Sequence, residues 1–256
     1  MILIVLLAAA QAAAPSPAAA PAAGPVDAQS GRFARCAALA QSDPAGARAA
    51  AGRWRISGGR YFARQCAGLA FAAEKNWPSA AAEFEEAARE AQIAKDTRAA
   101  NYWAQAGNAW LASGQPAKAR VALDSALTAG SLTGLPLGEA QLDHARALVA
   151  AGELDAARSD LDLALTTAGA DPLAWLLSAT LARRMSNIPR AKADIAQALK
   201  RSADDASVQL EAGNIAASAG DEAAAREAWG TAAKLSPTTD VGRNAVMALK
   251  QFDAAK

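Results

Sequence analysis

Residues 213–237 read GNIAASAGDEAAAREAWGTAAKLSP, and their small, bulky and turn-forming residues recur upstream at a fixed spacing. Stepping back by about 34 residues at a time, the length of one helix–turn–helix unit, exposes the copies. Five segments align: 61–94, 100–133, 138–171, 172–205 and 206–239, with short inserts KDTRA and GLPL between the earlier ones. One column holds only small residues: Gly68, Gly107, Ala145, Ala179 and Gly213. A second is Ala80, Ala119, Ala157, Ala191 and Ala225, and a third Ala87, Ala126, Ala164, Ala198 and Ala232. Between these two runs a bulky column: Phe84, Leu123, Leu161, Ile195 and Trp229.

Antiparallel helices approach closely only where neither carries a large side chain at the crossing. The Gly/Ala column and the first Ala column are therefore expected to touch within each pair. The second Ala column would let the next pair stack, and the bulky column would fill the space between. Gly114, Gly152, Ser186 and Gly220 mark turns where a left-handed residue ends the first helix. Asp221, or the acidic Glu153, then opens the second helix at its positive end.

Composition agrees. Over half the 256 residues are hydrophobic, mostly alanine, the strongest helix former and a poor filler of thick cores. No segment has the alternating, β-branched pattern of a strand. The fold expected is all-α. With 26 basic and 25 acidic residues there is no basic excess, which argues against nucleic-acid binding.

These columns resemble the tetratricopeptide repeat, whose signature runs W, L-G, Y, A, F, A, P across each unit. Trp103 and Trp175 match its leading aromatic; Arg64, Gln141 and Gln209 depart from it. Phe71, Trp110 and Leu148 match the bulky site of the first helix, and Pro237 the closing proline. The resemblance implies a right-handed superhelical solenoid of about five stacked antiparallel helix pairs, over residues 28–256. An N-terminal helix pair, its second helix started by Ser42 or Asp43 with Pro44 and closed by Gly58-Gly59, would precede the repeats. An amphipathic helix over 240–252, with Val241, Ala245, Val246 and Leu249 on one side, would cap the array and turn a polar face outward.

The N-terminus differs in kind. MILIVLLAAA, residues 1–10, has the length and small-residue ending of a cleaved export signal, with a cut at Gln11 or after Ala14. It is shorter than the roughly 20 apolar residues of a membrane-spanning helix, so no membrane insertion is expected after signal removal. An uncleaved anchor is the other reading. Residues 11–27 are an Ala/Pro-rich linker unable to build a core. Export implies a periplasmic location, where Cys36 and Cys66 could form a disulfide or pack as two buried thiols. Their spacing fits neither a redox CxxC nor a zinc site.

No catalytic constellation, metal set or cofactor motif is present. His144, the single histidine, is expected to be packed or capping, and the carboxylate pairs Asp160/Asp162 and Asp204/Asp205 to meet water. The reading is of a non-enzyme whose partner is a protein or extended peptide. The resemblance places the second, fifth and ninth positions of each unit, among others, on a concave surface. There lie Asn101, Asn108, Glu139, Arg146, Thr180, Arg183, Arg184 and Asn214, with Leu69 the apolar exception at the ninth position. The asparagines suit the backbone of an extended segment, and Arg146, Arg183 and Arg184 would attract acidic or C-terminal groups. A merely solvated concave face is the other reading of these positions. At the level of function, the alternative is an assembly adaptor that positions a cell-envelope enzyme through its convex or terminal surfaces.

Overall fold

The computed structural model describes residues 25–254, so the signal and all but the last residues of the linker lie outside the described residues. Thirteen helices and no strands occur among the described residues. Each repeat is a helix pair: α3 (Arg60–Ala73) with α4 (Trp77–Ile93), α5 (Ala99–Ala112) with α6 (Pro116–Thr128), and α7 (Gly134–Ala151) with α8 (Leu154–Thr167). Then follow α9 (Pro172–Arg184) with α10 (Ile188–Arg201), and α11 (Ala206–Ser218) with α12 (Glu222–Leu235). The pair α1 (Pro25–Ser42) and α2 (Pro44–Ile56) precedes them, and α13 (Asp240–Ala254) follows. Every helix packs on its chain neighbours, and α5 on α7, α7 on α9, α9 on α11. This is an all-α repeat solenoid.

The local chemistry explains the punctuation. Left-handed residues end the first helices: Gly114, Gly152 and Gly220, but also Ser186 at φ 59° and Lys75 at φ 58°, where a Cβ makes the turn strained. Three of the five second helices, α4, α10 and α12, start on side-chain caps, whereas Gln115 and Glu153 open α6 and α8 without one. Asp221 accepts from Ala224 N at 3.1 Å and Asn187 from Arg190 N at 3.2 Å. Asp43 does the same for α2, accepting from Gly46 N at 2.9 Å.

The columns meet differently from the expectation. A Cβ on Gly68 would fall 2.5 Å from the Phe84 ring, one on Gly107 2.4 Å from Leu123, and one on Gly213 2.4 Å from Trp229. The small column is thus the seat of the bulky column within the same repeat, sixteen residues on. The alanine columns are fully buried around that contact.

Two boundaries and one buried face also differ. The helix α1 begins at Pro25, inside the stretch read as linker, because proline is pre-shaped for a first helical turn. GLPL, read as an insert, is the start of α7, with Pro136 tolerated in the first turn. In α13 the buried side is Ala245 with Leu249 and Phe252, the last set edge-on to Trp229 at 5.5 Å. Val246 and Met247 face solvent, so the cap's outer side is partly apolar rather than polar.

Cys36 and Cys66 are bonded, with Cα atoms 5.9 Å apart, tying α1 to α3 across α2. Two of the three departures from the leading aromatic gain polar partners, whereas Gln141 is buried with its side-chain oxygen unpartnered. Arg64 donates to Glu90 at 2.5 Å and Glu83 at 3.1 Å, and Gln209 to Ala203 O at 2.7 Å.

Candidate functional site

The first helices of the repeats line a groove of about 660 Å³. Its walls come from α3, α5, α7 and α9, with Trp77 and Phe84 of α4 at one end and Leu173 and Leu177 of α9 at the other. Asn101 and Asn108 project from α5, and Glu139, Asp143 and Arg146 from α7. The reason is periodicity: residues three or four apart share one helical face.

Asp143, which the sequence reading passed over, organises the centre. It accepts from Asn108 Nδ2 at 2.7 Å and from Arg146 Nη1 at 2.8 Å. The asparagine is on α5 and the arginine on α7, so one carboxylate holds two neighbouring repeats in register. Asp143 lies four residues beyond Glu139 on one face, the signal by which it could have been found. Asn101 and Glu139 make no hydrogen bond or ion pair among the described residues and are free to meet a partner.

The remaining expected residues lie elsewhere. Thr180 and Arg184 line an adjoining apolar recess of about 210 Å³, shared with Arg146. Arg183 and Asn214 do not line the groove. Arg183 makes a bidentate pair with Glu211, at 2.6 and 3.1 Å. Asn214 donates to Glu211 at 3.1 Å and accepts from Trp229 Nε1 at 3.0 Å. That network satisfies a buried indole N–H and neutralises a buried glutamate, so it is structural work across α9, α11 and α12.

His144 is packed, and it bridges three helices. Nδ1 lies 2.5 Å from Asp160 Oδ2 of α8, and Nε2 3.1 Å from Asp124 Oδ1 of α6. The hydrogen bond to Asp160 raises its pKa against the opposing effect of burial. Asp160 and Asp162 therefore do not simply meet water. Asp162 pairs with Arg158 at 2.9 Å and with Arg190 of the next repeat. The Arg158 guanidinium is lowered by burial, although Asp162 opposes the change.

No group of His, Cys, Asp and Glu side chains among the described residues is arranged to hold a metal ion. No helix among them is long and apolar enough to cross a membrane.

No family profile and no curated protein matches the sequence. Solved structures do resemble it. PilW, a widely conserved type IV pilus biogenesis factor, superposes with a TM-score of 0.71 at 18% identity, over 88% of this chain and 100% of its own. PilF of Pseudomonas aeruginosa gives 0.69 at 14% identity, over 90% and 100%. YrrB, a TPR protein with an unusual peptide-binding site, gives 0.56 at 19% identity, over 73% and 91%. At these identities the likeness is one of fold, and it agrees with the repeat columns read from the sequence. The chain therefore has the helical-repeat fold of the tetratricopeptide-repeat solenoids.

Proposed function

We propose that the chain is a non-catalytic scaffold that binds an extended segment of another protein in the groove across α3, α5, α7 and α9, in the periplasm. The observation that carries the reading is the groove itself, with amides and carboxylates on its walls and Leu173, Leu177 and aromatic side chains at its ends. Side-chain amides offer both donor and acceptor to a peptide backbone, and apolar ends seat its side chains. YrrB, a structural neighbour with a peptide-binding site, and PilW, a pilus biogenesis factor, support a protein-interaction role at the cell envelope. The apolar MILIVLLAAA start supports export.

The test is the double variant Asn108→Ala/Arg146→Ala with a photo-crosslinker at Asn101. Partner capture from the envelope fraction should be lost, whereas the melting temperature should fall only modestly, since solvent-facing pairs contribute at most about 1 kcal/mol each. Capture equal to the unmodified chain removes the groove from the reading.

A second surface is favoured by one observation. Leu235, Val246 and Met247 are exposed at the C-terminal end, at 42%, 39% and 52%. An adaptor role through that end predicts crosslinks there rather than at Asn101.

A further inference from the structure

Aromatic rings along this chain are repeatedly covered by the chain's own cations. Arg48 lies over Phe71 at 5.1 Å, Arg98 over Phe62 at 4.4 Å, Lys118 over Trp110 at 4.3 Å and Arg201 over Trp175 at 5.1 Å. Trp77 is different. It sits half-buried at the first position of α4, lines the groove, and has no cation, ring or hydrogen-bond partner among the described residues. No cation of the chain lies over its ring among the described residues, and aromatic faces attract cations within about 6 Å of the ring centre.

The groove's charge points the same way. Glu139, Asp143 and Asp171 line it against one guanidinium, Arg146, whose charge Asp143 already meets. Asp171 spends one oxygen capping α9 through Leu173 N at 2.9 Å but keeps its charge, and Glu139 is exposed and unpaired. The arginines expected to draw acidic groups are not available for it: Arg183 is bound to Glu211, and Arg184 faces the adjoining recess. The surplus in the groove is negative. A nucleic acid or an acidic tail would meet repulsion here.

We propose that the segment occupying the groove is basic: an extended stretch of another protein that lays a Lys or Arg on the Trp77 face and runs positive charge along the Glu139 wall. This rests on the groove reading above and narrows it. Arg and Lys both suit the ring, and the amides of Asn101 and Gln105 between the two ends suit the segment's backbone.

The experiment uses the full chain and two labelled decapeptides of Gly, Ser and Asn. One carries two Arg and two Lys, and the other Glu at the same four places. Fluorescence anisotropy should show the basic peptide binding at least about tenfold tighter at low salt, with the difference shrinking as salt rises. Trp77→Leu should weaken it about three- to fivefold, the size expected of an exposed cation–π contact. Glu139→Lys, at an exposed and unpaired position, should weaken it about tenfold without touching the fold. A basic peptide that binds both variants as it binds the unmodified chain overturns the inference. So does tighter binding of the acidic peptide that is lost in Arg146→Ala, a result that keeps the groove as the site. If a random decapeptide library yields no binder sensitive to Asn108→Ala/Arg146→Ala, the groove reading fails as well.

Discussion

At the scale of single residues, the glycines divide into those that make the fold and those that merely occupy it. Gly213 seats the Trp229 ring, so a methyl there must displace a rigid, buried indole. Overpacking costs typically 1–3 kcal/mol, against roughly 1 kcal/mol gained from alanine's helix propensity. Gly213→Ala should therefore destabilise by roughly 1 kcal/mol in urea unfolding. Gly230 lies inside α12 with nothing within 4 Å of its would-be Cβ. Gly230→Ala should stabilise by about 0.5–1 kcal/mol, and equal effects from the two would refute the seat assigned to Gly213. His144 makes a pH-dependent contribution. Its folded pKa is raised by Asp160, so its stabilisation is complete below the unfolded value and is lost as pH rises through the folded one. Thermal melts should lose stability above about pH 6.5 relative to a His144→Gln chain, whose profile should be flat there. Parallel profiles for the two chains would leave the His144 bridge without energetic weight. The seats of Gly213 and His144 show how far the sequence could be read. The columns announced that Gly213 must be small, but only the packed pair showed that it is small for Trp229. Nothing in the spacing placed Asp124 and Asp160, from two other helices, on either side of His144.

At the scale of elements, α1 has the weakest claim to its place by sequence, since it belongs to no repeat. Its anchor is the bond from Cys36 to Cys66, which spans 30 residues and fastens α1 to α3. By loop-closure entropy a cross-link of that span is worth about 3.5 kcal/mol. Reducing the protein, or Cys36→Ala, should lower the melting temperature and free α1 to protease while α3–α12 remain helical. An unchanged melt and digest would mean that apolar packing alone holds α1. The helices themselves were legible because each is bounded by chemistry that acts locally: proline at the first turn, Asp or Asn caps, and a left-handed residue at the end. GLPL was misread as an insert for the same reason. A proline in the first turn looks like a break until the following turns show that the helix runs through it.

At the scale of the whole molecule, the core is unevenly continuous. One buried cluster runs unbroken from Cys36 to Ala147, covering the N-terminal pair and the first repeats. Beyond it the core divides into three separate clusters, the break within α9 being bridged by Arg158, Asp162, Arg190, Asp194 and Ser178. Repeat arrays take their stability from nearest-neighbour interfaces, and thin interfaces open first. Native-state hydrogen exchange should find α9–α13 opening at lower free energy than α3–α6, and uniform protection along the array would refute this. The groove straddles the two regimes, with α3 and α5 in the continuous core and α9 beyond it. Periodicity alone determined that the chain is a stack of helix pairs, because a helix of small and bulky residues at fixed intervals can bury itself only against copies of that pattern. The resemblance to the tetratricopeptide repeat, rather than periodicity, pointed to Asn101, Asn108, Glu139 and Arg146 for the inner surface, and it passed over Asp143. Which of those side chains are free was decided only in the tertiary structure. Whether an arginine meets a partner or a neighbouring repeat's carboxylate depends on distances between helices that no single helix encodes. Hence Arg183 is held by Glu211 and Arg146 by Asp143, while Trp77, Asn101 and Glu139 remain open in the groove.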